Sequence, residues 1–170
     1  PMVMRTASGA GTGAAAQHSQ SLEACLAHFP GLKVVIPSTP YDAKGLLKTA
    51  IRDDNPVMFL EQKTLYRTKG MVPEGEYSIP LGQADIKLAG SDCTVVTYGR
   101  MVNTCLTAAQ ELEKDGVRLE VIDIRSLVPL DTQTILESVK KKNMMWFMRI
   151  IFLRKEFVCG LQKMLEYQLE

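Results

Sequence analysis

Four short apolar runs constrain this chain more than any other feature: KVVI at 33–36, VMFLE at 57–61, TVVTY at 94–98 and LEVID at 119–123. A strand with one wet face alternates apolar and polar residues, whereas a strand buried on both faces reads as a continuous β-branched run. Between and around these runs lie helical segments at 19–28, 41–51, 101–114 and 131–142, the last opening on Asp131 as its cap, with a further short strand at 3–6. Buried strands alternating with crossover helices predict an α/β fold, with parallel sheets covered by helices.

The alternation lapses over 62–90, where Gly70, Pro73, Gly75, Pro80 and Gly82 are spread through polar sequence. That composition predicts two units, 1–70 and 91–143, joined by a linker at 71–90. At 170 residues the chain is long enough for one good core or two small half-domains.

Composition excludes several classes of function. A net charge of +1 and an aromatic share of 6% give neither the basic footprint nor the stacking platforms of a nucleic-acid binder. The apolar run at 144–153 is broken by Arg149 and too short to cross a bilayer, so no membrane role is expected. Cys25, Cys93, Cys105 and Cys159 stand singly, without the spacing of a zinc site or a disulfide framework, and are expected to be reduced and mostly buried. His18 and His28 would lie roughly 280° apart around a helix, so they do not form a two-histidine metal site.

Two places carry candidate chemistry. His18 follows a segment poor in side chains (Gly9, Gly11, Gly13, Ala14, Ala15, Ala16) and precedes Ser19, a good N-cap, with Glu23 in the first helical turns. Backbone can approach a ligand closely there, and an imidazole can move a proton near neutral pH. A loop histidine beside a helix is the plain alternative. GAGTG at 9–13 lacks the lysine and hydroxyl residue of a phosphate-binding loop, so a tight turn beneath His18 is the better reading. Gly99 after the run 94–98 likewise lacks the other glycines of a dinucleotide fingerprint. The second place is AIRDDN at 50–55, where a helix opening near Ser38 and Pro40 stops before Pro56. Its last carbonyls lie at the negative end of the helix dipole, and Asp53 and Asn55 add oxygens, a set suited to a hard cation or equally to an ordinary polar turn. Arg125 reads as an ion-pair residue, either at the surface or at an interface.

HSQSLE at 18–23, PGLKVVIPSTPYDAKGLLKTAIRDDNP at 30–56, YSIPLGQADIK at 77–87, GSDCTVVTYGRMV at 90–102 and LEVIDIRSLVPLD at 119–131 resemble, in order and spacing, the β subunits of the thiamine-diphosphate-dependent 2-oxo acid dehydrogenases. The resemblance runs from residue 1 to about 143. It implies a transketolase-like fold, with the C-terminal half of a pyrimidine-binding domain at 1–70 and the first part of a transketolase C-terminal-type domain at 91–143. It implies oxidative decarboxylation of a 2-oxo acid, pyruvate foremost, with acyl transfer to lipoyl groups; an acetoin dehydrogenase is the alternative. His18 matches the family's catalytic, cofactor-facing histidine. Met2, Ala50, Ile51, Asp53 and Asn55 match the positions that hold a structural potassium ion, mostly through backbone carbonyls. Thiamine diphosphate would be shared with an α subunit, which holds its magnesium, in a heterotetramer of two α and two β chains serving a lipoyl-bearing acyltransferase core. The implied location is the bacterial cytoplasm, or the mitochondrial matrix or a plastid in a eukaryote, with no targeting segment visible in the chain.

The departures from the family bear on activity. The glutamate that activates the cofactor's aminopyrimidine lies upstream of the position matching Pro1, so this chain alone is expected to be inactive. From Met144 the tail MMWFMRIIFLRKEFVCGLQKMLEYQLE leaves the family pattern, where a valine-rich strand and a glycine-rich helix are expected, and a changed reading frame or an amphipathic helix would account for it. Two rival functions follow: a transketolase or deoxyxylulose-phosphate synthase, which share both domains, and a truncated inactive paralogue acting only as an assembly partner.

Overall fold

A computed structural model describes residues 1–142 and 145–147. The remainder of the divergent tail, together with Cys159, lies outside the described residues. In chain order the elements are β1 (Met2–Ser8), α1 (Glu23–Ala27), β2 (Lys33–Val35), α2 (Pro40–Arg52), β3 (Pro56–Gln62), a 3-10 turn (Lys63–Leu65), β4 (Asp85–Leu88), β5 (Cys93–Thr97), α3 (Arg100–Lys114), β6 (Leu119–Asp123), β7 (Ser126–Val128), α4 (Thr132–Lys142) and β8 (Met145–Phe147).

The strands form two four-stranded sheets, ordered β1-β3-β2-β7 and β4-β6-β5-β8. Each has a parallel centre, as the apolar runs require, and one antiparallel edge, which the sequence reading did not foresee. Edge strand β4 pairs antiparallel with β6, Asp85 opposite Asp123. It lies within the segment read as linker. Strand β7 leaves the second sheet and pairs antiparallel with β2, Val34 opposite Val128, across a register shift. Arg125, at φ 54°, makes the sharp turn that sends the chain back to the first sheet.

Side-chain alternation sends each central strand into two cores. Val34, Met58 and Leu60 of the first sheet meet Val96, Ile122 and Ile124 of the second in one shared cluster, closed by Ile135 and Val139 of α4. On the outer face Val35, Val57 and Phe59 pack against Leu46 and Ala50 of α2. Val95 and Val121 pack against Cys105 and Ala109 of α3. The two sequence units therefore share a core, while Phe59, 1% exposed, is the largest buried side chain of the separate cluster between the first sheet and α2. Phe59→Ala should lower stability by about 3–5 kcal/mol, read from chemical denaturation of the two chains.

Local rules explain the helix ends. Thr39 caps α2, its hydroxyl accepting the Asp42 N–H at 3.1 Å, and Pro40 takes the first helical position, where a missing N–H costs nothing. Asp131 caps α4 as the sequence predicts, accepting the Thr134 N–H at 3.1 Å. Ser19 does not cap α1: its hydroxyl donates to the Ala15 carbonyl at 2.7 Å, the chain turns through 15–19, and the helix begins only at Glu23. Cys93 and Cys105 are buried, as expected, and Cys25 is exposed; none of the three is in a disulfide. Among the described residues no helix is long and apolar enough to cross a membrane.

Candidate active site

In a parallel sheet, ligands are taken at the carboxyl ends of the strands. Here those ends carry the glycine-rich loop after β1, the Pro37–Ser38 turn after β2 and the 3-10 turn after β3. Strands β1 and β3 run in register from Met2 opposite Pro56 to Ser8 opposite Gln62, so the loops that follow them start side by side. Gly9, Gly11 and Gly13 all have positive φ, and a Cβ at Gly13 would meet nothing within 4 Å. The loop thus offers bare backbone over open space.

His18 sits in this loop, exposed. Its carbonyl accepts the Lys63 ammonium, the Gly9 N–H donates to the Gln20 carbonyl at 2.9 Å, and the Ser8 hydroxyl donates to the buried Glu23 carboxylate at 3.1 Å. These three ties fix the loop's base and leave the imidazole outside. Lys63 and Ser8 were not singled out from sequence, and Glu23, read there only as an acid in the first helical turns, anchors the loop from below. A neighbouring cleft of about 260 Å³ is lined by Arg5, Ser38, Thr39, Glu61, Gln62 and Tyr66 among others, and His18 does not line it.

The five residues matched to potassium come together at the opposite end of the sheet. Asp53 follows α2, its N–H donating to the Ala50 carbonyl at 3.3 Å, Ile51 is exposed, and Met2 lies opposite Pro56, next to Asn55. The Asp53 carboxylate is already engaged. Lys33 lies 2.5 Å from Oδ2, and the Asn55 backbone and side-chain N–H groups both donate to Oδ1 at 2.9 Å. The Lys33 hydrogen bond, then those from Asn55, pull the Asp53 pKa down to about 2. The chemistry of the residues, backbone carbonyls at a helix C-terminus beside an ionised carboxylate, suits a hard cation, although that carboxylate is shared with Lys33 and the Ala50 carbonyl with the Asp53 N–H. Among the described residues no group of three or more His, Cys, Asp or Glu is placed to hold a metal.

A third cluster, unforeseen except for Arg125, joins the two sheets. Asp42, fully buried in the first turn of α2, receives Arg125 Nη1 at 3.0 Å, Lys87 Nζ at 2.7 Å and the Thr39 hydroxyl at 2.5 Å. Arg125 also donates to the Gln83 and Ala84 carbonyls, both at 3.1 Å, so the guanidinium is an internal ion-pair residue. Ser38 donates to Asp123, which is fully buried at the end of β6. Burial works to raise the Asp42 pKa, but the bonds from Lys87, Thr39 and Arg125 hold it below the usual range. Asp123 accepts the Ser38 hydroxyl and, at 3.1 Å, the Arg125 N–H, but its cation, Lys87, stands off at 3.9 Å, and burial pushes its pKa up to about 7. Three carboxylates (Asp42, Asp85, Asp123) face two cations, and a proton taken by Asp123, whose pKa is raised, would balance the charge.

This sets the sign of a pH effect. With a folded pKa above the unfolded value of about 4, the native state binds more proton than the unfolded chain between about pH 4 and pH 7, so Asp123 makes stability fall as pH rises through that window. Asp123→Asn should flatten this fall, seen as a smaller change in urea midpoint between pH 4.5 and 7.5 than in the parent.

Comparison with known proteins bears out this architecture. The family described as "Transketolase, pyrimidine binding domain" matches residues 1–69, and "Transketolase, C-terminal domain" matches residues 82–149. The chain is 56% identical over 140 residues to the acetoin:2,6-dichlorophenolindophenol oxidoreductase subunit beta of Cupriavidus necator, covering 82% of this chain and 41% of that protein. It is 54% identical over 142 residues to the pyruvate dehydrogenase E1 component subunit beta of Bacillus subtilis, covering 83% and 44%. To the 2-oxoisovalerate dehydrogenase subunit beta of Bacillus subtilis it is 53% identical over 142 residues, covering 83% and 43%. The chain therefore spans less than half the length of these relatives. A split gene transketolase solved as an inactive beta4 tetramer shares the fold, with a TM-score of 0.68 over 85% of this chain and 45% of that one, at 23% identity. Two transketolase domains in the expected order, together spanning most of the chain, place it among proteins with the transketolase pyrimidine-binding and C-terminal domains, and along the matched length it is similar, at more than 50% identity, to the β subunits of 2-oxo acid and acetoin dehydrogenases.

Proposed function

We propose that this chain belongs to the working β subunit of a thiamine-diphosphate-dependent 2-oxo acid dehydrogenase, paired with an α subunit in an α2β2 heterotetramer that passes acyl groups to the lipoyl groups of an acyltransferase core. The observation that carries the reading is His18, held at the carboxyl mouth of β1 and β3 by its own carbonyl so that the ring stays free. A loop of three glycines with positive φ lies beside it, where backbone can face a flat ring closely.

When bound, thiamine diphosphate supplies the carbanion-stabilising chemistry that cleaves the bond next to the substrate carbonyl. The residues of this chain orient and protonate. His18 moves a proton at an imidazole nitrogen during acyl transfer, and the loop backbone excludes water from one side. The α subunit holds the diphosphate and its magnesium. Backbone carbonyls around residues 50–55 and Met2 would hold a potassium ion, with Asp53 as anionic backing, and the bound charge would stiffen the start of β1 and β3. Replacing potassium by tetramethylammonium should lower the melting temperature by a few degrees, and Asp53→Ala should erase the difference between the two salts in the same thermal scan.

The relatives' names divide among acetoin, pyruvate and 2-oxoisovalerate at nearly equal identity, so the proposed substrate class is the 2-oxo acid, pyruvate first. Co-expression with an α subunit and assay with an artificial electron acceptor tests it: cofactor-dependent turnover of pyruvate or 2-oxoisovalerate is expected. Turnover confined to acetoin moves the chain to that branch of the family.

A further inference from the structure

Three consecutive residues after the core of β3 touch three different things. The Gln62 side-chain oxygen accepts the Arg100 N–H at 2.6 Å, at the first residue of α3. Lys63 holds the His18 carbonyl, and the Thr64 methyl lies 3.2 Å from where a Cβ on Gly11 would be. Arg100 Nη1 is 3.0 Å from that same Gly11 position. Gly99 is pressed so closely onto the Gln62 amide, at φ +58°, that a Cβ there would lie 2.6 Å from its Oε1 and 2.7 Å from its Cδ.

We infer that Gln62 is a positioning residue for His18, transmitting the seating of α3 from the second sheet to the histidine loop through Lys63 and Thr64. The geometry gives the reason. The α3 N-terminus has no side-chain cap of its own, so its first N–H needs an acceptor, and Gln62 reaches it from the end of β3. This orients the chain entering the 3-10 turn, which aims Lys63 at the His18 carbonyl. Arg100 closes the arrangement from above, over Gly11. A glycine at 99 is required because the amide and the backbone share van der Waals space there; the glycine carries this contact rather than a nucleotide.

The inference deepens the reading of His18 as the catalytic histidine, but its test does not depend on activity. Gln62→Met removes the acceptor at nearly equal length, and Gln62→Glu restores an oxygen that also suits a helix N-terminus. In the folded 170-residue chain, Gln62→Met should speed amide hydrogen exchange over residues 9–20 by about tenfold or more while exchange in β5 and β6 stays unchanged. The His18 ring resonance should shift with the His28 resonance fixed, and Gln62→Glu should return both readouts to the parent values. Unchanged exchange and an unmoved His18 signal in Gln62→Met overturn the inference. So does a Gln62→Glu chain that behaves like Gln62→Met. If these readouts move as expected while His18→Ala leaves turnover of the assembled enzyme intact, the link stands and the catalytic reading of His18 is what fails.

Discussion

Asp42→Ala is expected to destabilise the fold by about 3–5 kcal/mol, because it removes the buried carboxylate on which two cations converge rather than one bond. Arg125 and Lys87 converge on the two oxygens of Asp42 at 3.0 Å and 2.7 Å in the interior where α2 meets β4 and β6. Without that carboxylate the guanidinium keeps two carbonyls and Asp85 at 3.9 Å, and Lys87 keeps Asp85 at 2.7 Å and Asp123 at 3.9 Å. Asp123 then ionises in compensation, so the Asp42→Ala chain should lose the fall in stability between about pH 4 and pH 7 as well. The expected drop in melting temperature is on the order of 10 °C for a chain of this size. A double variant, Asp42→Leu with Arg125→Met, separates uncompensated charge from lost packing: it should recover much of the loss, and a double variant as unstable as the sum of the singles would mean that Asp42 and Arg125 are not energetically coupled.

His18→Ala is expected to lower acyl transfer to a lipoyl domain by about 10²–10⁴-fold in the assembled enzyme, the range for loss of a positioned proton donor. The fold should hold. His18 is exposed, and its tie to Lys63 runs through the backbone carbonyl, which alanine retains. The ring should matter least where the acyl group never reaches lipoyl, so turnover with an artificial electron acceptor should fall much less than lipoyl acylation. Equal loss in both assays would assign the ring to decarboxylation instead, and unchanged lipoyl acylation would remove His18 from the site.

The central strands were legible in the sequence because burial on both faces leaves a continuous apolar run, and Val34 with Val35, or Val95 with Val96, indeed point into different cores. The edges were not legible. DIKL at β4 is four residues of alternating exposure inside a glycine- and proline-rich stretch, and SLV at β7 is three residues whose pairing is set by the turn at Arg125. Short edge strands take their identity from the partner that pairs with them. Asp131 was legible as a cap because its oxygens meet the N–H groups three residues on, a local rule. Ser19 obeyed the same rule in sequence, yet its hydroxyl went to Ala15, because the glycine-rich loop had already turned the chain and moved the helix start to Glu23. His18 and the 50–55 turn could be placed from local signals and family resemblance. The residues that hold them, Lys63, Glu23, Gln62 and Lys33, lie 5 to 45 positions away and are joined only by the sheet's topology.

The most direct test measures thiamine-diphosphate-dependent release of carbon dioxide from a 2-oxo acid by the β protein carrying this sequence, with and without an α subunit. Turnover that requires cofactor, 2-oxo acid and α subunit together is the predicted result. Ketol transfer between sugar phosphates with no α subunit present, or an α-bound assembly that leaves every 2-oxo acid and acetoin untouched, would contradict it.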